Sequence, residues 1–367
     1  MSHRSKLVAV CVTAWSICVA SADPAPVLNP EKDIDGKALP FGRAVHQASD
    51  TPLGTGPYKA IMMEDPSFTN HTLYYPANLA AAVEAGGKLP VIVWGNGACL
   101  NAGNRFRIFL TEIASHGFLV IAGGPIANIK YEVGPQENPA VGGARGAAAA
   151  APPVVFPPGY DDTAYNNVTG RNTAEQMIEG IDWALKENER PESKFYHKLS
   201  TSKIGVAGQS CGGSLAITVS ADPRVAASAF FSAAGGGGGG RGNRGGAVTT
   251  NAPGALATPP NPRLDALHGP VMLVTGDAAN DIAFQGAAST AEYLSKVPVF
   301  YAWQEKLTHI GTYGMPNGGQ LGRLAWQWFA WQLRSDASAA TAFKGADCPI
   351  CLEAGWHVQK KEAIIFR

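Results

Sequence analysis

Charged residues are scarce in this 367-residue chain, and neither sign is in excess. They make up 16% of the sequence, with 29 acidic residues against 29 basic ones. No long basic stripe is present, which argues against a nucleic-acid-binding surface, and no acidic tail is present. The length is enough for one α/β domain of about 250 to 300 residues with extensions.

Long apolar runs are scarce as well. Outside the N-terminal region, no segment is long and apolar enough for a membrane helix. The run at residues 7–20 is itself short for a bilayer, and it follows the basic residues Arg4 and Lys6. A small-x-small site comes next, Ala20-Ser21-Ala22. This order predicts a secretory signal peptide at residues 1–22 and a secreted protein without stable membrane insertion.

Cysteine is the third scarce residue. Two of the six cysteines lie within the predicted signal, and four remain: Cys99, Cys211, Cys348 and Cys351. An even number suits disulfides in an oxidising compartment. A local disulfide is favoured for the last pair, because no second Cys/His pair nearby would complete a zinc site. Asn70 and Asn167 begin glycosylation sequons, which predict a glycoprotein in a eukaryotic host.

Apolar, β-prone segments alternate with helical ones along most of the chain. A hairpin-like pair is expected at 58–63 and 72–75, buried strands at 89–94, 118–122, 225–232, 271–275 and 297–303, and helices at 106–113, from 172, at 287–296 and at 319–334. Strands that alternate with helices predict an α/β fold. Its central sheet should be mostly parallel and flanked by helices on both faces.

The predicted domain spans residues 55–335. An extended arm at 23–54 precedes it, and a tail with a Cys-x-x-Cys pair follows at 336–367. Two segments break the alternation. Residues 123–171 predict an irregular or lid-like insertion. Residues 234–262 are rich in glycine and predict a flexible insertion.

The chain contains one stretch with the pattern Gly-x-Ser-x-Gly in a suggestive position. Gly208-Gln209-Ser210-Cys211-Gly212 lies between a predicted strand and a run that can begin a helix. The pattern is weak evidence in a glycine-rich chain, but strand–turn–helix is the setting of a nucleophile elbow. The two glycines would relieve crowding at the sharp turn. We predict that Ser210 is a nucleophile.

A serine nucleophile needs a base and a group that orients the base. Among eight histidines, His309 follows a predicted strand at its carboxyl end, where open α/β sheets carry their sites. His357 is a second candidate. Asp281 is favoured as the orienting acid over Asp277, because it lies far enough along its loop to turn back toward the histidine. The resulting order is Ser, Asp, His.

An oxyanion hole needs two backbone N–H donors. By position, Cys211 supplies one, and Asn96, between two glycines after the strand at 89–94, is the expected second. The thiol of Cys211 is itself an alternative nucleophile. We favour a Cys99–Cys211 disulfide instead, which would join the two halves of the oxyanion hole.

From residue 55 to 334 the chain resembles the secreted polyester-hydrolase and cutinase-like serine esterases of the α/β-hydrolase superfamily. The resemblance is carried by residues 56–58 and 70–74, the loop after 91–93, residues 114–118, the Ser210 stretch and residues 280–283. Asn96 stands where that family has an aromatic residue, and Gln209 and Cys211 flank the serine in place of its usual neighbours. The resemblance implies an α/β-hydrolase fold, a Ser-His-Asp triad without metal or cofactor, and hydrolysis of carboxylic esters.

The sequence thus predicts a secreted serine esterase that acts through an acyl-enzyme. Its partner would be a small-molecule or polymeric ester, with no nucleic acid. One alternative is an interfacial lipase or polyester hydrolase, with residues 123–171 as a lid. Another is a non-catalytic binding protein on a hydrolase fold. The natural ester and the oligomeric state stay open.

Overall fold

The computed structural model describes residues 49–127, 170–235 and 262–362. The predicted signal peptide and most of the predicted arm lie outside the described residues. So do the sequon at Asn167 and most of the insertions predicted at 123–171 and 234–262. Within the described ranges, no helix has the length and apolar character needed to cross a membrane.

The described strands form one ten-stranded sheet in the order β1-β2-β3-β5-β4-β6-β7-β8-β9-β10. Their bounds are β1 Ser49–Leu53, β2 Ala60–Met63, β3 His71–Pro76, β4 Leu89–Gly95, β5 Leu119–Gly123, β6 Leu199–Gln209, β7 Val225–Phe231, β8 Val271–Gly276, β9 Val299–Gln304 and β10 Trp356–Lys361. The six central strands, which run β5-β4-β6-β7-β8-β9 across the sheet, are parallel. The outer strands pair antiparallel. The predicted α/β fold with a mostly parallel sheet is therefore confirmed.

Helices occupy most of the connections between the parallel strands. They are α1 Leu79–Gly86, α2 Arg107–Ser115, α3 Ala174–Glu189, α4 Cys211–Val219, α5 Pro262–Asp265, α6 Phe284–Tyr293, α7 Gly319–Arg334, α8 Ala337–Ala340 and α9 Pro349–Leu352. The sequence signals fix some of their ends. The Thr173 hydroxyl accepts a hydrogen bond from the Gln176 N–H at 3.1 Å and so caps the start of α3.

The sheet separates two hydrophobic cores, because successive side chains of a strand point to opposite faces. Val91 and Val93 of β4 belong to the core shared with α3, α4 and α6. Ile92 and Trp94 belong to the core shared with α2 and α7. Helices therefore cover both faces, as predicted. The central strands are largely apolar because both faces of the sheet are buried.

The domain extends beyond the predicted limits of 55 and 335 at both ends. Residues 49–53 of the predicted arm form β1, and residues 356–361 of the predicted tail form β10 beside β9. In β10 only Trp356 is buried, while Lys360 and Lys361 reach solvent. An edge strand of this kind has few apolar residues, and charged side chains there discourage pairing with other chains. The predicted local disulfide is present between Cys348 and Cys351, with Cα atoms 5.0 Å apart.

One histidine inside this fold has a strongly shifted pKa. His71 at the start of β3 is 1% exposed, and its ring stacks on Phe68 with 3.8 Å between centroids. Its Nε2–H donates to the Gln176 carbonyl at 2.8 Å. Burial, partly offset by that hydrogen bond, lowers the pKa of His71 to about 4 from its ordinary value near 6.5.

We expect the free energy of unfolding to fall as the pH is lowered from about 6.5 to about 4. In this window the unfolded chain protonates His71 while the folded chain keeps it neutral, so unfolding takes up a proton. The full contribution is about 3 kcal/mol. His71→Gln, whose amide can still donate to the Gln176 carbonyl, should flatten the slope in urea denaturation at several pH values. His268→Gln is the control, and equal slopes in wild type and His71→Gln would contradict the assignment.

Candidate active site

Ser210 occupies a strained turn between β6 and α4. Its backbone angles are φ 53° and ψ −118°, a region that non-glycine residues rarely adopt. A Cβ on Gly212 would lie 2.1 Å from the Gly95 carbonyl carbon, and one on Gly208 would lie 2.4 Å from the Gly212 oxygen. The ends of β4 and β6 and the start of α4 thus touch backbone to backbone. The strand–turn–helix setting predicted for Ser210 is present.

The structure brings together the serine, histidine and acid selected from the sequence. The Ser210 hydroxyl donates to His309 Nε2 at 2.8 Å, and His309 Nδ1–H donates to Asp281 Oδ1 at 2.7 Å. The three residues follow the carboxyl ends of β6, β9 and β8. Loops from the same edge of the sheet therefore assemble a continuous hydrogen-bonded series.

Asp281 is held by donors on both of its oxygens. It is 3% exposed, and Oδ1 also accepts from the Ala283 N–H at 2.8 Å. Oδ2 accepts from the Ser232 hydroxyl at 2.7 Å and the Gly276 N–H at 3.0 Å. Burial raises the pKa of Asp281, but these hydrogen bonds and the neighbouring His309 outweigh it and lower the pKa below its ordinary value. The ionised carboxylate fixes the tautomer in which Nδ1 of His309 carries the proton.

The two alternative residues lie elsewhere. Asp277 accepts hydrogen bonds from the amides of Ala279, Asn280 and Lys306, so it stabilises its own loop. His357 lies on β10, stacks on the Trp303 ring and pairs with Glu305 at 3.0 Å. Neither joins the series that contains Ser210.

Gln209 makes contacts at the site that the sequence did not reveal. Its buried side chain donates from Nε2 to the His309 carbonyl at 2.8 Å. Its Oε1 lies against Gly97, where an added Cβ would be only 2.0 Å away. From the other side, the His309 N–H donates to the Asn280 carbonyl at 3.3 Å. One side chain thus links the loops after β4, β6 and β9.

A disulfide lies directly beside the serine. Cys99 and Cys211 are bonded, with Cα atoms 5.2 Å apart, as the sequence favoured. A bonded sulfur does not act as a thiolate nucleophile, so the alternative of a reactive Cys211 does not fit the structure. Cys99 closes the 3-10 turn Gly97–Cys99, in which Ala98 has a φ of 58°. The loop after β4 is thereby covalently joined to the start of α4.

Asn96 does not fit the oxyanion role expected for it. The residue is fully buried, and its N–H already donates to the Asn172 side-chain oxygen at 3.2 Å. Its own side chain donates to three backbone carbonyls. In contrast, Ala98 is exposed, and the N–H groups of Ala98 and Cys211 form no hydrogen bond with any described residue. The amides of Ala98 and Cys211 are therefore available to a bound ligand.

This arrangement has a definite chemical capacity. A hydroxyl that donates to a neutral imidazole nitrogen loses its proton to that nitrogen as it attacks an electrophilic carbon, and a buried carboxylate stabilises the resulting imidazolium.

Comparison of the chain with models of known protein families and with curated proteins found no match. The interpretation of the site therefore depends on the geometry of Ser210, His309 and Asp281 in this chain alone.

Proposed function

We propose that the protein is a serine hydrolase of the α/β-hydrolase fold that cleaves carboxylic esters through an acyl-enzyme. The observation that carries the proposal is the unbroken series from Ser210 through His309 to the buried Asp281, with distances of 2.8 and 2.7 Å. A strained backbone at Ser210 adds support, because strain of this kind costs about 1 to 3 kcal/mol and concentrates at functional sites. The disulfides fit the further proposal that the protein is secreted.

The reaction begins with Ser210. Its oxygen attacks the ester carbonyl carbon while the hydroxyl proton moves to His309 Nε2, and Asp281 stabilises the imidazolium. The tetrahedral intermediate collapses as His309 gives that proton to the departing alkoxide. An acyl-serine and an alcohol result. Water, deprotonated by His309, then attacks the acyl-serine, and His309 returns the proton to Ser210 as the acid leaves.

The negative charge of the tetrahedral intermediate needs two preorganised donors. We assign this role to the N–H groups of Cys211 and Ala98 in place of the pair predicted from the sequence. Both amides are without partners among the described residues, and the disulfide joins the segments that carry them. The positive φ of Ala98 supports this assignment, because strained backbone conformations concentrate at functional sites.

Fluorophosphonate labelling combined with hydrolysis of p-nitrophenyl esters tests the proposal. We expect one covalent adduct, located on Ser210 by mass spectrometry, and a loss of ester hydrolysis in proportion to labelling. Labelling elsewhere, or hydrolysis that survives full labelling, would contradict the proposed nucleophile. A non-catalytic binding protein would show neither labelling nor hydrolysis.

We expect the double substitution Cys99→Ser and Cys211→Ser to lower kcat for p-nitrophenyl esters by about 10- to 100-fold. Loss of a single oxyanion donor costs roughly 10²- to 10³-fold, and a donor that is only loosened should cost less. The disulfide closes a loop of 112 residues. Its removal should therefore also lower the free energy of unfolding, by about 5 kcal/mol in the loop-entropy description.

The matched control is the double substitution Cys348→Ser and Cys351→Ser. That disulfide closes a loop of three residues in the α9 region and does not contact the site. Kinetics should be measured well below the unfolding midpoint of each variant. If both double variants keep wild-type kcat, the disulfide beside Ser210 has no function in positioning the amides.

A further inference from the structure

An arginine lies at the rim of the proposed site. The Nη2 atom of Arg171 is 3.4 Å from Cys211 Sγ, and Cys211 directly follows Ser210. Consecutive Cα atoms are about 3.8 Å apart, so the guanidinium lies within about 12 Å of the Ser210 hydroxyl. The side chain is exposed. A cation is thus presented to solvent close to the position where the ester carbonyl would bind.

The backbone of Arg171 is fixed against the loop after β4. Arg171 forms an isolated antiparallel bridge with Leu100. The next residue, Asn172, donates its N–H to the Cys99 carbonyl at 2.8 Å. The Asn172 side chain is tied in turn to Gln176 of α3, to which its Nδ2 donates at 2.9 Å. The guanidinium therefore projects from an anchored point.

The charge of Arg171 is not neutralised within the described part of the chain. Arg190, Arg224 and Arg323 each pair with a carboxylate. No described carboxylate lies within ion-pair distance of Arg171, whose side chain contacts the disulfide sulfur, a weak acceptor. A guanidinium has five N–H donors in a fork that matches a carboxylate. The donors that do not face the sulfur remain able to bind an anion.

We propose that Arg171 determines specificity by binding a carboxylate on the acyl part of the substrate. The inference rests on the proposed ester hydrolysis and names its substrate class, the monoesters of dicarboxylic acids. With the ester carbonyl at Ser210, an acyl chain of roughly three or four methylenes would carry a terminal carboxylate toward the guanidinium. The two oxygens of that carboxylate accept from the guanidinium fork.

The test compares anionic and neutral esters of similar length. The anionic substrates are the mono-p-nitrophenyl esters of glutaric and adipic acids, and the neutral ones are p-nitrophenyl valerate and hexanoate. The measured quantity is the ratio of kcat/KM for the anionic ester to kcat/KM for the neutral ester. Arg171→Gln should lower this ratio about fivefold, the upper range for a solvent-exposed ion pair. Arg171→Lys should lower it less, because the charge is kept without the fork.

Salt and a second arginine provide the controls. In the wild type the ratio should fall as NaCl is added, since screening weakens an exposed charge pair, and in Arg171→Gln it should be insensitive to salt. Arg190→Gln, near the other end of α3, should keep the wild-type ratio.

Each outcome decides the inference. Equal losses for both ester classes in Arg171→Gln, or an unchanged ratio, would overturn it while leaving the proposed hydrolase function in place. A wild type that cleaves neither ester class would instead overturn the proposed function, and the specificity of Arg171 with it.

Discussion

We expect Ser210→Ala to lower kcat for p-nitrophenyl ester hydrolysis by at least about 10⁴-fold and to leave the fold intact. The substitution removes the attacking oxygen, and members of a catalytic triad act as a unit, so loss of one removes most of the acceleration. The Ser210 hydroxyl makes its hydrogen bond to His309, and the backbone N–H to the Phe231 carbonyl is unaffected by the change. Thermal unfolding by circular dichroism should therefore keep its wild-type midpoint.

A neighbouring serine provides a matched control for this substitution. Ser214 lies one turn further along α4 and is only partly buried, so Ser214→Ala changes the same functional group on the same helix. We expect this variant to retain wild-type kcat and fluorophosphonate labelling. Ser210→Ala that keeps more than a small fraction of wild-type hydrolysis would show that another residue is the nucleophile.

Asp281→Asn should lower kcat by about 10³- to 10⁴-fold. Asp281 accepts from His309 Nδ1–H, which leaves Nε2 free to take the serine proton. An asparagine amide that donates to Nδ1 would reverse the tautomer and place a proton on the nitrogen that must accept one. The measurement is kcat for ester hydrolysis together with the rate of fluorophosphonate labelling, and both should fall.

The same substitution should also reduce stability. Four donors face the Asp281 carboxylate, on both oxygens, and an asparagine side chain has only one acceptor oxygen. At least one buried donor is left without a partner, at a cost of about 1 to 3 kcal/mol in the free energy of unfolding. Asp265→Asn, at an exposed position, is the control. Wild-type kcat in Asp281→Asn would rule out the orienting role.

The parallel core of the fold and its three site residues were accessible from the sequence. Buried parallel strands are continuous apolar runs, and the carboxyl ends of those runs mark the loops that meet at one edge. Ser210 and His309 were located in this way, and Asp281 was preferred to Asp277 because of its position along the loop. Their catalytic roles stay predictions until the measurements above are made.

The edge strands and the short helix α1 were harder to predict from the sequence. The edge strands β1 and β10 carry polar residues and have a strand neighbour on one side only, so no apolar run marks them. The short helix α1 is rich in alanine, which gives little contrast between its faces.

Three other contacts between distant segments were not accessible from the sequence. The amide of Asn96 is occupied by the side chain of Asn172, 76 residues further along the chain. Gln209 reaches the carbonyl of His309 across 100 residues, and Arg171 approaches Cys211 across 40. In a single sequence, no spacing rule signals such pairs, because the folded sheet alone brings them together.

The disulfide between Cys99 and Cys211 has a consequence for how the protein is produced. Cytoplasmic expression in a reducing host would leave Cys99 and Cys211 as two thiols, since glutathione and thioredoxin keep cytosolic cysteines reduced. A preparation of that kind could be folded around its sheet and still have poorly placed amides beside Ser210. Specific activity would then report the oxidised fraction of the sample, and expression in a periplasm or an oxidising strain becomes the condition for meaningful kinetics.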